Sequence, residues 1–165
     1  MPTEPGKIRN VAVTGHRGTG KTSLVEAMLF QAGAVNRLGT VEAGTTTSDW
    51  DEDEQRRQMS LASSVCHLDW QDRKINLIDT PGDAGFSGDT VAALRVVEGA
   101  LVVASAVMGV EVQTSRVWER AEGLDARTIV VIAQKVVSKA EGAWVDLRTI
   151  EPSALARSWA EQCGK

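Results

Sequence analysis

Gly15-His16-Arg17-Gly18-Thr19-Gly20-Lys21-Thr22 is the stretch whose reading decides the fold. It follows the pattern of Gly, four residues and Gly-Lys-Thr, which cradles a phosphate when a strand precedes it and a helix follows. Residues 7–14 (K-I-R-N-V-A-V-T) read as that strand, with Val11 and Val13 β-branched. From Lys21 onward Leu24, Ala27 and Met28 recur at helical spacing, and Gly33 supplies a stop. The chemistry requires these residue types. Glycines let the backbone curl so that successive amide hydrogens point inward, and the helix that starts there adds its positive dipole end. Gly15 through Thr22, with Ser23 behind them, would line such a site. Lys21 would reach the β- and γ-phosphates, and the Thr22 hydroxyl would hold Mg²⁺. Average residue usage puts a chance match at roughly half a percent for a chain this long, and the strand and helix context lowers it further. His16 reads as a small loop residue packing against the sheet rather than a catalytic group, and Arg17 as a solvated side chain.

The rest of the chain alternates strands and helices. Residues 34–61 are polar and aperiodic, a long loop with room for one short helical turn; loops of that length inside a compact domain are often functional. The acidic run 51–54 reads as a solvated loop face. Residues 65–70 and 74–78 form two apolar-rich runs separated by the polar turn Gln71-Asp72-Arg73, a hairpin that adds one antiparallel edge strand. Val91, Leu94 and Val97 mark a helix, residues 100–106 a buried strand, Val117, Ala121 and Leu124 another helix, and residues 128–133 a further strand. The expected architecture is α/β, a mostly parallel sheet with helices on both faces. Beyond it, residues 145–150 could form a last strand and Leu155, Trp159 and Cys163 an amphipathic helix. Asp79-Thr80-Pro81-Gly82 closes the second hairpin strand, so Asp79 would stand at the carboxyl edge of the sheet, where α/β folds bind ligands. There a carboxylate can hold hydrated Mg²⁺ and the Gly82 amide can donate to a γ-phosphate, making the segment a sensor of nucleotide state.

Composition narrows the classes. With 165 residues, 42% of them apolar and 24% charged, the chain has the make-up of one globular domain. A formal net charge of −4 offers no overall basic field for nucleic acid or anionic lipid. The apolar stretch 99–110 is too short to span a bilayer, and the first residues lack a basic-then-apolar export signal, so a cytoplasmic location is the default expectation. Cys66 and Cys163 are far apart and read as two unpaired thiols in a reducing compartment.

V-A-V-T-G-H-R-G-T-G-K-T-S-L, N-L-I-D-T-P-G, L-R-V-V-E-G-A-L-V-V and G-V-E-V-Q-T-S-R-V-W-E-R-A together resemble the amino-terminal GTP-binding domain of elongation factor G and related translational GTPases, through about residue 133. The resemblance implies a P-loop GTPase fold over residues 1–133, followed by a divergent segment, 134–165, that could complete the same domain. It also implies GTP and GDP as ligands, Mg²⁺ as cofactor, and the ribosome as partner. The family's later domains lie outside this sequence, so this chain alone is not expected to translocate. Three departures from the family pattern matter. The first-loop Arg-Gly-Ile-Thr-Ile, whose threonine binds Mg²⁺, is matched by residues 57–61, so Ser60 keeps a metal-binding hydroxyl. The histidine after Asp-Thr-Pro-Gly, which positions the attacking water, is replaced by Asp83 at the catalytic position. Ionised, Asp83 is a like charge beside the γ-phosphate and cannot donate to developing negative charge; losing such a group typically costs about 10²- to 10⁴-fold in rate. Weak or absent hydrolysis is therefore expected. Finally, the guanine-reading Asn-Lys-x-Asp is matched only by Ala133-Gln134-Lys135-Val136-Val137, which leaves Gln134 and Lys135 as partial stand-ins beside the base. Two further readings stand beside this one: a nucleotide-dependent regulatory module, and a fragment without independent activity.

Overall fold

A computed structural model describes residues 4–123 and 127–133. Five strands form one sheet in the order β2-β3-β1-β4-β5, where β1 is Ile8–Gly15, β2 Ser64–Trp70, β3 Arg73–Asp79, β4 Gly99–Ser105 and β5 Arg127–Ala133. β1 runs parallel to β3 (Val11 beside Leu77) and to β4 (Val11 beside Gly99), and β4 parallel to β5. Only β2 is antiparallel, pairing Ser64 with Asp79 through Trp70 with Arg73. The helices are α1 (Lys21–Gln31), α2 (Glu52–Arg57), α3 (Ser87–Leu94) and α4 (Val112–Gly123).

Alternation along β1 divides the core between two faces. Val13 points to one side, where Val25 and Leu29 of α1 cover it with Leu77, Cys66, Leu68 and Val103. Ala12 points to the other, against Ala93 and Leu94 of α3 and Ala121 of α4. Central strands buried on both faces need apolar residues at consecutive positions, and Val102 and Val103 of β4 are both essentially inaccessible. The expected α/β sheet with one antiparallel edge strand and helices on both faces is the observed one.

Several local expectations shift. The hairpin turn has two residues rather than three: Gln71 and Asp72 both take positive φ, 46° and 62°, and Arg73 already pairs in β3. A right-handed sheet twist selects this tight turn even without glycine. Val97 falls past the end of α3. The acidic run is helical rather than a loop: residues 51–53 are solvated as expected, Asp51 caps α2 by accepting from the Asp53 amide, and only Glu54 is buried, at 3% exposed. Within the described residues, no helix is long and apolar enough to cross a membrane. Leu124, Gln134, Lys135, Cys163 and the strand and helix expected after residue 144 lie outside the described residues.

Candidate nucleotide site at the carboxyl edge of the sheet

β1 delivers the chain to Gly15, whose φ of 143° and approach to the Val103 carbonyl exclude a side chain there. Gly18 and Gly20 then take φ of 75° and 94°, left-handed values that turn the loop back on itself before α1 begins at Lys21. The first amides of α1 have no acceptor within the helix, so they face the loop as open donors. Lys21 crosses beneath the loop and donates from Nζ to the His16 carbonyl at 2.9 Å. Burial pushes its ammonium down to about 8, although Asp79 and Asp49 pull the other way.

β3 lies beside β1 in register, Val13 against Asp79, and Thr80 locks the two strand ends by donating from both N and Oγ1 to the Val13 carbonyl. Asp79 is thereby brought to the loop. Its Oδ2 accepts from Ser48 Oγ at 2.9 Å, while Oδ1 is buried with no hydrogen-bond partner. Burial pushes this carboxyl up to about 6; the nearby Thr22 and Ser48 hydroxyls and the Lys21 charge favour the ionised form, and Asp49 opposes it. Gly82 presses directly on the loop, and a Cβ added to it would strike Lys21 Nζ and the backbone of His16 and Arg17.

The long loop supplies the third wall. Thr22 Oγ1 lies 3.2 Å from Ser60 Oγ, and Ser60 donates to Asp49 Oδ1 at 2.7 Å. Asp49 Oδ2, like Asp79 Oδ1, is buried and unpartnered. Burial raises the Asp49 carboxyl, while the Ser60 hydroxyl lowers it. Thr22, Ser60 and Asp49 border a cleft of about 300 Å³, with Arg17, Arg57 and Asp83 at its rim. A larger groove of about 570 Å³ runs between the end of α1 and β2, past Trp50 and Cys66, and includes none of the loop residues 15–23.

The structure thus brings Gly18, Gly20, Lys21, Thr22, Ser23, Ser60 and Gly82 to one cleft, with Gly15 at the start of the loop against Val103 and Asp79 buried near Thr22 and Lys21. Thr19 is buried and ties itself to the His16 carbonyl at 2.9 Å through Oγ1. Two loop residues make charged contacts outside the loop. His16 pairs through Nε2 with Glu111 at 3.2 Å, linking the loop to the segment before α4. Arg17 is exposed as expected, and its Nη1 also lies 3.9 Å from Asp83 Oδ2. Asp83 itself caps the short 3-10 turn Ala84–Phe86, accepting from the Gly85 amide at 2.9 Å.

Ser48 and Asp49 were not singled out in the sequence. Thr45-Thr46-Thr47-Ser48-Asp49, a hydroxyl run closed by a carboxylate within a long polar loop, was the available signal.

The Elongation factor Tu GTP binding domain model matches residues 6–140. The chain belongs to this family. Within it, elongation factor G of Petrotoga mobilis is 41% identical over 116 residues, covering 70% of this chain and 17% of the relative. The mitochondrial ribosome-releasing factor 2 of Candida dubliniensis is 39% identical over 126 residues, covering 76% and 16%. A crystal structure of a Thermus thermophilus protein superposes with a TM-score of 0.74 at 40% identity, over 76% of this chain and 19% of that one. The chain therefore carries an elongation factor G-like GTPase domain of the elongation factor Tu family and spans about a sixth of the length of these curated relatives.

Proposed function

We propose that this domain binds a guanine nucleotide with Mg²⁺ in the cleft between the glycine loop and the long loop, and serves as the nucleotide-dependent switch of a translation factor acting on the ribosome. The observation that carries the reading is two unpartnered buried oxygens, Asp79 Oδ1 and Asp49 Oδ2, beside the hydroxyls of Thr22 and Ser60. A buried acceptor without a donor is costly, on the order of 1–3 kcal/mol, and a cation relieves it. The residues fit Mg²⁺. The protein oxygens on offer are two carboxylates and two hydroxyls, Asp79, Asp49, Thr22 and Ser60. That suits an ion which takes few protein oxygens and fills its shell with water and phosphate.

Thr22, Ser60 and Asp79 would hold the ion, and the loop amides with Lys21 would hold the phosphates. When bound, Mg²⁺ neutralises charge on the phosphate oxygens. Gly82, already against the loop, would offer its amide to a terminal phosphate, and Ser60 would respond to the same group from the long loop. Ligand loss would then release both segments together.

Hydrolysis is expected to be slow. Asp83 has Oδ1 occupied by the Gly85 amide, and its ionised carboxylate would stand as a like charge beside a terminal phosphate, unable to donate to developing negative charge. Guanine preference rests on family membership, with Gln134 and Lys135 proposed beside the base.

Fluorescent GTP, GDP and ATP titrated into the folded chain, with and without Mg²⁺, test the reading. Tighter GTP and GDP binding in Mg²⁺, with ATP excluded and turnover well below that of an ordinary translocase, is the expected result. Absence of affinity at millimolar nucleotide would overturn it.

A further inference from the structure

We propose that Arg17 and Asp83 form a charge pair at the rim of the cleft that sets how strongly the domain prefers a nucleoside triphosphate over the diphosphate. The inference rests on the reading of that cleft as a phosphate site. Arg17 is the second residue after the close of β1, and Asp83 follows the glycine that presses on the loop. A Cβ on Gly82 would lie 2.8 Å from the Arg17 amide nitrogen, so the two segments touch through their backbones. Their side chains then meet over the same cleft as Lys21 and Thr22.

The pair is built for adjustment rather than for holding the fold. At 3.9 Å, with the Arg17 and Asp83 side chains 57% and 37% exposed, the contact is Coulombic without a hydrogen bond. Exposed pairs of this kind add little to stability. Asp83 Oδ1 is fixed by the Gly85 amide, which leaves Oδ2 as the charge that a terminal phosphate would meet. Arg17 offsets that repulsion. A diphosphate, one group shorter, feels it less.

The consequences run in opposite directions for the two residues. Without Arg17 the Asp83 charge stands uncompensated and triphosphate binding suffers more than diphosphate binding. Without the Asp83 charge the guanidinium is free to pair with phosphate, which it does well. A unit charge near the terminal phosphate in a partly solvated cleft is worth on the order of tenfold in affinity.

The experiment measures binding of a non-hydrolysable GTP analogue and of GDP to the full chain, for the original sequence, Arg17→Ala, Arg17→Lys, Asp83→Asn and the double variant Arg17→Ala with Asp83→Asn. Thermal unfolding confirms that each is folded. The triphosphate-to-diphosphate affinity ratio should fall about tenfold in Arg17→Ala, stay close to the original in Arg17→Lys, rise in Asp83→Asn, and return toward the original in the double variant. These differences should shrink at high salt, where charge effects are screened and packing effects are not. If both nucleotides bind but Arg17→Ala changes their affinities by the same factor, or Asp83→Asn fails to restore the ratio in the Arg17→Ala background, the charge-pair proposal is wrong while the phosphate site stands. If the original chain binds neither nucleotide, the site reading fails and this proposal with it.

Discussion

Lys21 carries an ammonium into a site where only 6% of the residue remains exposed, with the His16 carbonyl as its hydrogen-bond acceptor. Such a charge is poorly satisfied by one carbonyl and well satisfied by phosphate oxygens. Lys21→Met keeps most of the volume and removes the donor. It should weaken nucleotide binding by about 2 kcal/mol or more while cooperative unfolding persists, which calorimetric titration and a thermal melt would check. Glu98, far from the site, shows a different use of charge. Its Oε2 accepts from the Asn10 amide at 2.6 Å and its own amide donates to the Asn10 carbonyl at 3.1 Å, joining the starts of β1 and β4. The Asn10 amide holds the Glu98 carboxyl below the usual glutamate range. A depressed folded value stabilises above the unfolded value near 4.5, and the gain is lost as pH falls through the lower folded value. Glu98→Gln should therefore lower the unfolding midpoint at neutral pH, with the difference from the original chain closing as pH falls below 4.5 and through the lower folded value. A gap that persisted unchanged in acid would remove the charge from the explanation.

The long loop between α1 and β2 is ordered by two buried carboxylates rather than by a core of its own. Glu26 on α1, 2% exposed, accepts from the Gly39 and Thr47 amides. Glu54 on α2 accepts from the Leu61 and Ala62 amides at 2.9 and 3.2 Å, which fixes the chain just after Ser60. At this scale α2 acts as a clamp that holds the Ser60 hydroxyl beside Thr22. Glu54→Ala strands two amides and should destabilise the domain by about 1–3 kcal/mol, whereas Glu54→Gln, which keeps an acceptor, should recover most of the loss. Urea unfolding separates the two variants. Equal stability for Ala and Gln would mean that the carboxylate does not organise the loop. The same comparison should appear in Mg²⁺-dependent nucleotide affinity, because Ser60 is held through this contact.

Across the whole molecule, the site lies where the chain's direction of sheet growth reverses. From β1 the chain places β3 on one side and β4 on the other, so the carboxyl end of β1 opens a crevice between diverging connections. Loop, long loop and the segment after β3 come from distant parts of the sequence and meet only there. A ligand bridging them should stabilise the native state as a unit. Nucleotide with Mg²⁺ at about a hundredfold above its dissociation constant should add about 2.7 kcal/mol, a rise of roughly 5–10 °C in the unfolding midpoint. Differential scanning calorimetry with and without Mg²⁺ checks this; an unmoved midpoint would argue that the three walls do not share a ligand.

The glycine loop, the order of strands and helices, the antiparallel edge strand and the position of Asp79 were legible in the residues themselves. Each is dictated locally: left-handed backbone at Gly18 and Gly20 demands glycine, and buried central strands demand unbroken apolar runs. The sequence also singled out Ser60 and Asp83 through family likeness, but not what each touches. Asp49 against Ser60, Glu54 beneath the long loop, His16 on Glu111 and Arg17 near Asp83 are pairings across sequence gaps with no period to reveal them. A charged residue in a polar stretch reads as solvated until the fold surrounds it. Short-range backbone chemistry determined the glycine loop, whereas the long-loop wall of the cleft was decided only when tertiary packing buried carboxylates against amides far along the chain.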